Sequence, residues 1–122
     1  MSEDRSQALE LLATARTRLL PIRALAEAGD ARDEHDPDDL NEAFRAVHSL
    51  AGVLPQDARI VGHVLCNRLD DLRMAKLALT AANLDRILAG IDGFSSALSG
   101  PPAPEALEAL ERELGALGRP SS

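Results

Sequence analysis

His48 and Gly52 stand four positions apart in a helical segment of this 122-residue chain, and they are its clearest candidates for chemistry. Neutral imidazole is a nucleophile near physiological pH, and a phosphorylated imidazole carries a labile phosphoryl group. Residues four apart lie on one face of an α-helix, so Gly52 leaves no side chain beside the imidazole. A glycine inside a helix costs about 1 kcal/mol relative to alanine and so invites an explanation. Two remain open: close approach by a partner, or a close contact between helices of this chain.

The periodicity around His48 places it beside an apolar stripe rather than on it. With Val47 at the centre of the stripe and a turn of about 100° per residue, His48 lies about 100° from the centre and Gly52 about 40° further. Asn41 and Arg45 fall on the same flank. The sequence therefore predicts one small surface with the base of the imidazole against the core and its edge toward water.

A second group of polar side chains, His63, Cys66 and Asp70, has helical spacing but does not predict a metal site. His63 and Asp70 fall on the predicted polar face, and no second cluster of ligands accompanies them. Gly-rich phosphate loops, Ser/His/Asp patterns and paired-carboxylate signatures are also missing from the sequence. We therefore expect neither a bound metal nor a resident cofactor.

Apolar residues recur at helical spacing along the chain, whereas strand signals are nearly absent. The pattern predicts a first helix over 6–28, which Pro21 kinks or splits and Gly29 ends. An acidic connection over 30–39 supplies capping residues for the next helix. That second helix carries the cleanest stripe, made of Leu40, Ala43, Phe44, Val47, Leu50, Ala51 and Leu54.

Three further helices are predicted after Pro55, which interrupts or ends the second helix. The third helix carries its apolar face from Val61 through Lys76 to Leu79, and the fourth begins near a cap at Thr80 or Asn83. A short fifth helix has Pro104 in its first turn and leucines at 107, 110, 114 and 117.

These elements predict an all-α fold, an up-and-down four-helix bundle with an additional short C-terminal helix. The chain is then a single domain over 1–122, with a core at about 6–98 and an accessory helix at about 104–117.

The composition of the chain indicates which kinds of molecule it is expected to bind. The formal net charge of −7 lacks the basic footprint of nucleic-acid binding, and 45% hydrophobic residues favour a folded chain. A single cysteine fits a reducing compartment, and neither a signal peptide nor a membrane-spanning run is visible. We expect a soluble cytoplasmic monomer that binds other proteins rather than nucleic acid or membrane.

The segment His48-Ser49-Leu50-Ala51-Gly52 resembles the motif His-x-Leu-Lys-Gly of histidine phosphotransfer (HPt) domains. Phe44 and Val47 match the apolar positions that precede the histidine of that motif. The next helix resembles phosphotransfer domains of chemotaxis kinases at Leu65, Cys66, Leu69, Asp70, Asp71 and Leu72. The resemblance extends over roughly residues 9–98 and is carried by motif, helix count and register together.

This resemblance implies that His48 accepts a phosphoryl group on Nε2 from a histidine kinase or a receiver domain, and passes it to the aspartate of a response regulator. Such a protein is a carrier rather than a turnover enzyme, and Mg²⁺ belongs to the partner receiver domain. The expected site-lining residues are Gly52, Arg45, Asn41, Ala51, Gln56 and Arg59.

Ala51 departs from the family pattern, which has a lysine at this position. Its loss removes a positive charge that could stabilise a phosphoryl group, and Arg45 or Arg59 could substitute for it. Pro55 and Ala58 are further departures. Two alternatives to a phosphorelay carrier therefore stay open: an HPt-fold binding module that docks or sequesters a receiver or kinase without efficient transfer, and a helical scaffold unrelated to phosphorelays.

Overall fold

The computed structural model describes residues 3–29, 31, 34–100 and 103–117, and the regular elements of this part of the chain are all helices joined by turns, with no strand among them. The all-α prediction is confirmed. The described helices are α1 (Glu3–Leu25), a 3₁₀ turn (Ala26–Ala28), α2 (Pro37–Ala51), α3 (Gln56–Arg73), α4 (Ala81–Ser99) and α5 (Pro104–Leu117). Among these residues, no helix is both long and apolar enough to cross a membrane.

The first helix begins and ends three residues earlier than the sequence predicts, and it is not split. α1 continues through Pro21 to Leu25 without being split. A 3₁₀ turn then follows, and Gly29 adopts φ +134°, a conformation that side chains disfavour. Gly29 therefore ends the helical segment as predicted.

α2 is bounded by two of the signals read from the sequence. The Asp36 carboxylate accepts a hydrogen bond from the Asp38 amide at 3.0 Å, and Pro37 occupies the first turn, where its missing N–H costs nothing. The helix ends at Ala51, so Gly52 and Leu54 lie after α2 rather than within it. Pro55 then stands at the N-terminus of α3.

α3 is shorter than predicted, since it ends at Arg73 and leaves Lys76 and Leu79 outside it. Ala75 adopts φ +62°, which directs the chain out of the helical path. Leu79 is nevertheless buried, and its carbonyl accepts a hydrogen bond from the Ala31 amide at 2.9 Å. Thr80 caps α4 by accepting from the Asn83 amide at 3.3 Å, which selects one of the two predicted caps.

The helices pack in a closed ring: α1 contacts α2 and α4, α2 contacts α3, and α5 lies against both α3 and α4. The direct contact between α3 and α4 is smaller than the contact of α5 with either. Leu110, Leu114 and Leu117 of α5 are buried, so α5 contributes to the core predicted at about residues 6–98.

Glycines allow α5 to approach α4 closely. A Cβ atom at Gly90 would lie 2.7 Å from Leu114 Cδ2, and one at Gly93 would lie 3.0 Å from Leu110 Cδ2. Gly62 of α3 likewise lies close to the end of α2 and the turn that follows it, since an added Cβ would lie 3.8 Å from Ala51 Cβ and 2.8 Å from Leu54 Cδ1. Helix contacts of this chain therefore use Gly62, Gly90 and Gly93.

Candidate functional site

The site is centred on His48, which is exposed in the last turn of α2. Its neighbour Val47 is fully buried, as expected for the centre of the stripe. His48 therefore lies to one side of the buried face of α2, as the helical periodicity predicts.

The imidazole rests against a phenyl ring one turn earlier. The ring centroids of Phe44 and His48 are 5.9 Å apart with an angle of 35° between their planes. This separation is in the range of favourable aromatic pairs. Phe44 is itself half-buried and packs against the core, so it gives the exposed imidazole a support anchored in the bundle.

Arg73 lies over the same phenyl ring and was not among the residues predicted from the sequence. Its guanidinium carbon is 3.8 Å from the Phe44 ring centroid, a cation–π contact. The guanidinium also donates from Nη1 to Asn41 Oδ1 at 3.3 Å and from Nη2 to Asp70 Oδ1 at 2.8 Å. Because α2 and α3 run antiparallel, the end of α3 lies beside the start of α2 and brings these four side chains together.

The sequence contained one signal for this arrangement. Cys66, Asp70 and Arg73 are spaced i, i+4 and i+7, which places them on one face of a helix. Asp70 was expected on the polar face, but it is half-buried and paired with Arg73. Recognising Arg73 also required the register between α2 and α3, which helical periodicity does not supply.

The two arginines considered as replacements for the motif lysine lie in different settings. Arg45 is exposed on the flank of His48, with Nη1 3.7 Å from a Glu42 carboxylate oxygen. Arg59 donates from Nη2 to the Leu54 carbonyl at 3.1 Å, so its side chain folds back on the turn between α2 and α3. Gln56 is exposed at the start of α3.

Ala51 and Gly52 differ in their surroundings although they are adjacent. Ala51 is buried, and its Cβ faces α3 at Gly62. Gly52 is exposed in an ordinary right-handed conformation, φ −75° and ψ −17°, and its amide donates to the Ser49 carbonyl at 3.1 Å. A Cβ at Gly52 would meet only the Ser49 carbonyl oxygen, at 3.4 Å. Gly52 is therefore neither a mid-helix residue nor a helix-packing point.

No group of three potential metal ligands occurs among the described residues. His63 is exposed, whereas Cys66 is buried between the helices. Burial raises the pKa of the Cys66 thiol, and the nearby Asp70 carboxylate raises it further. The thiol therefore stays protonated and apolar in character, which suits packing rather than reactivity.

Comparison with known proteins relates the chain to a chemotaxis protein. The chain is 35% identical over 72 residues to the chemotaxis protein CheA of Halobacterium salinarum. The alignment covers 53% of this chain but 11% of that protein, so this chain corresponds to a small part of its length. No protein-family model matches the chain.

Proposed function

We propose that this chain is a histidine phosphotransfer protein of two-component signalling, in which His48 carries a phosphoryl group between a histidine kinase or receiver domain and the aspartate of a response regulator. The observation that carries the proposal is an exposed imidazole beside a surface that bears no side chain at Gly52. The motif resemblance and the similarity to a chemotaxis protein support it. The ring of helices is consistent with the four-helix bundle of HPt domains.

The phosphoryl transfer proposed for His48 uses only its imidazole and the groups of the partner receiver. The lone pair of Nε2 attacks phosphorus while Nδ1 keeps its proton, a P–N bond forms, and the P–O bond to the receiver's aspartate breaks. The carboxylate of that aspartate leaves with the bonding electrons. Onward transfer reverses these steps on a second receiver, and each receiver supplies its own Mg²⁺.

Transfer of this kind requires the two reacting chains to approach within bonding distance. Gly52 lies one turn beyond His48, and its exposed backbone offers a partner a surface at that turn. Among the described residues, none requires a glycine at position 52, because a Cβ there would make only an ordinary contact with the Ser49 carbonyl. The proposal attributes the glycine to the approach of a partner.

The test is transfer of labelled phosphate from a panel of phosphorylated receiver domains. We expect an acid-labile, base-stable label on the wild-type protein and none on His48→Gln. His63→Gln is the matched control, since His63 is an exposed histidine on α3 and should keep the label. A failure of all receivers from the same organism, or equal labelling of His48→Gln, would refute the proposal.

A second candidate function is an HPt-fold binding module that docks a receiver or kinase without efficient transfer. It is favoured by the buried alanine at position 51, which lacks the charge of the motif lysine, and by the hydrogen bond that directs the Arg59 guanidinium to the Leu54 carbonyl. In that case His48→Gln would bind the receiver with unchanged affinity, and the wild type would remain unlabelled in the same assay.

A further inference from the structure

We infer that Arg73 is a positioning residue for His48 and acts through the Phe44 ring. This inference rests on the proposed function, because it names the group that orients the imidazole for transfer. Arg73 holds the phenyl ring against which the imidazole rests.

Arg73 is held by hydrogen bonds from both of its terminal nitrogens. Its two terminal nitrogens contact different helices: Nη1 donates to Asn41 on α2 and Nη2 to Asp70 on α3. The planar guanidinium fork therefore spans the α2–α3 interface in one orientation. A lysine ammonium, a point charge on a flexible stem, would not maintain both contacts in this way.

The guanidinium of Arg73 also stacks on the phenyl ring of Phe44. The Nε atom of Arg73 is buried and has no hydrogen-bond partner, which is unfavourable for a polar group. The guanidinium stacks on the phenyl ring with its carbon 3.8 Å from the centroid, and this is a compensating interaction because a cation–π pair is stronger when it is partly desolvated. The position of the cation therefore depends on the ring, and the ring's orientation depends on the cation.

The stack of Arg73 on Phe44 affects transfer through the orientation of the His48 imidazole. An exposed side chain exchanges rotamers rapidly, and in-line transfer requires one orientation of the attacking nitrogen. Phe44 lies 5.9 Å from the imidazole, centroid to centroid, and limits the space that the His48 ring can sample. Position 51 carries no lysine, and the cation that contacts the supporting ring is the Arg73 guanidinium.

The experiment compares Arg73→Met, which retains length and apolar contact, with Arg73→Lys, which retains charge. Single-turnover transfer from a phosphorylated receiver is measured against receiver concentration. For Arg73→Met we expect the maximal rate to fall about tenfold, with the half-saturating receiver concentration within twofold of wild type. Arg73→Lys should recover part of the rate. Arg86→Met, on the exposed side of α4, is the matched control and should retain the wild-type rate.

A spectroscopic measurement separates positioning from a general structural effect. The ring protons of His48 experience the ring current of Phe44, so we expect their NMR shifts to move toward random-coil values in Arg73→Met, while Arg86→Met leaves them unchanged. If Arg73→Met does not fold, Asn41→Ala removes one bond of the fork and should produce smaller changes of the same kind in rate and shift.

The outcomes distinguish this inference from the proposed function. A labelled wild type with an unaffected rate in Arg73→Met overturns the positioning role and leaves the phosphotransfer function standing. An unlabelled wild type refutes the phosphotransfer function, and with it a role for Arg73 in transfer. Unchanged His48 shifts in Arg73→Met overturn the positioning of the imidazole whatever the labelling shows.

Discussion

Ala51 and Gly52 are neighbours in one motif, but only Ala51 is restricted by packing against another helix. Ala51 faces Gly62 across the α2–α3 contact, where the long stem of a lysine would have to leave the interface to reach water. At Gly52 an added Cβ would make only an ordinary contact with the Ser49 carbonyl oxygen, and the backbone conformation is one that any residue can adopt. Packing of the described helices therefore limits the size of the side chain at position 51, whereas it does not require a glycine at position 52.

This contrast predicts that Gly52→Ala separates stability from transfer. The free energy of unfolding should be unchanged or rise by up to about 1 kcal/mol, because alanine restricts the unfolded chain and fits the native φ and ψ. Transfer from a phosphorylated receiver should slow, because a methyl group then lies one turn from the imidazole. Chemical denaturation and single-turnover labelling measure the two effects.

Gly115→Ala is the matched control, since a Cβ at this position on α5 would meet nothing within 4 Å and lies away from His48. It should give a similar change in stability without slowing transfer. Equal transfer rates for Gly52→Ala and wild type would show that the open surface at Gly52 is not used by the receiver.

At the scale of helices, the close approach of α5 to α4 depends on two glycines of α4. Gly90 meets Leu114, and Gly93 meets Leu110, so two leucines of α5 enter spaces on α4 that contain no Cβ atoms. The leucine spacing of α5 is visible in the sequence, whereas the matching glycines become meaningful only once α4 and α5 are adjacent.

The Gly90–Leu114 contact predicts strong coupling in a double-mutant cycle. Gly90→Ala alone should lower the free energy of unfolding by about 1 kcal/mol, because the new methyl overlaps Leu114. In the background of Leu114→Ala the same change should be stabilising, because the methyl group occupies vacated space and alanine favours the helix. Denaturant unfolding of the four proteins measures the coupling, and additive effects would contradict the contact.

At the scale of the whole molecule, α1 is joined to α4 by ion pairs at the surface. Arg23 donates from Nε to Asp85 Oδ1 at 2.5 Å and from Nη2 to Oδ2 at 3.1 Å. This hydrogen bonding, with the charge of Arg23, holds the pKa of Asp85 below its usual value. Both groups lie near solvent, so screening keeps the contribution to stability small.

The lowered pKa of Asp85 fixes the sign of a pH dependence. A carboxyl whose pKa is lower in the folded state stabilises the fold above its unfolded pKa of about 3.9, and this contribution is lost as pH falls through the folded pKa. The melting temperature of Asp85→Asn should therefore lie slightly below wild type at neutral pH and converge with it in acid. Thermal unfolding across this range measures the difference.

The background of Arg23→Gln provides the control for this pair. Without the guanidinium, Asp85→Asn should have little effect on the melting temperature at any pH. A difference between wild type and Asp85→Asn that persists below the folded pKa would contradict the assignment to the Asp85 carboxylate.

Much of the helical framework follows from local physical chemistry. The α2 stripe, the Asp36 cap, the terminating Gly29 and the leucines of α5 are recognisable because hydrogen bonding and side-chain direction repeat over a few residues. The end of α3 was misplaced, since Leu79 is buried by a loop and so continues the apolar pattern beyond the helix.

The sequence by itself determined the helical class of the chain and the exposed flank that carries His48, because both depend on periodicity within one segment. Only the tertiary structure decided that Arg73 joins Phe44 and Asn41, that Ala51 packs on Gly62, and that α5 lies against both α3 and α4. These contacts depend on the register and separation of different helices, which are set by how all the side chains in the core pack together.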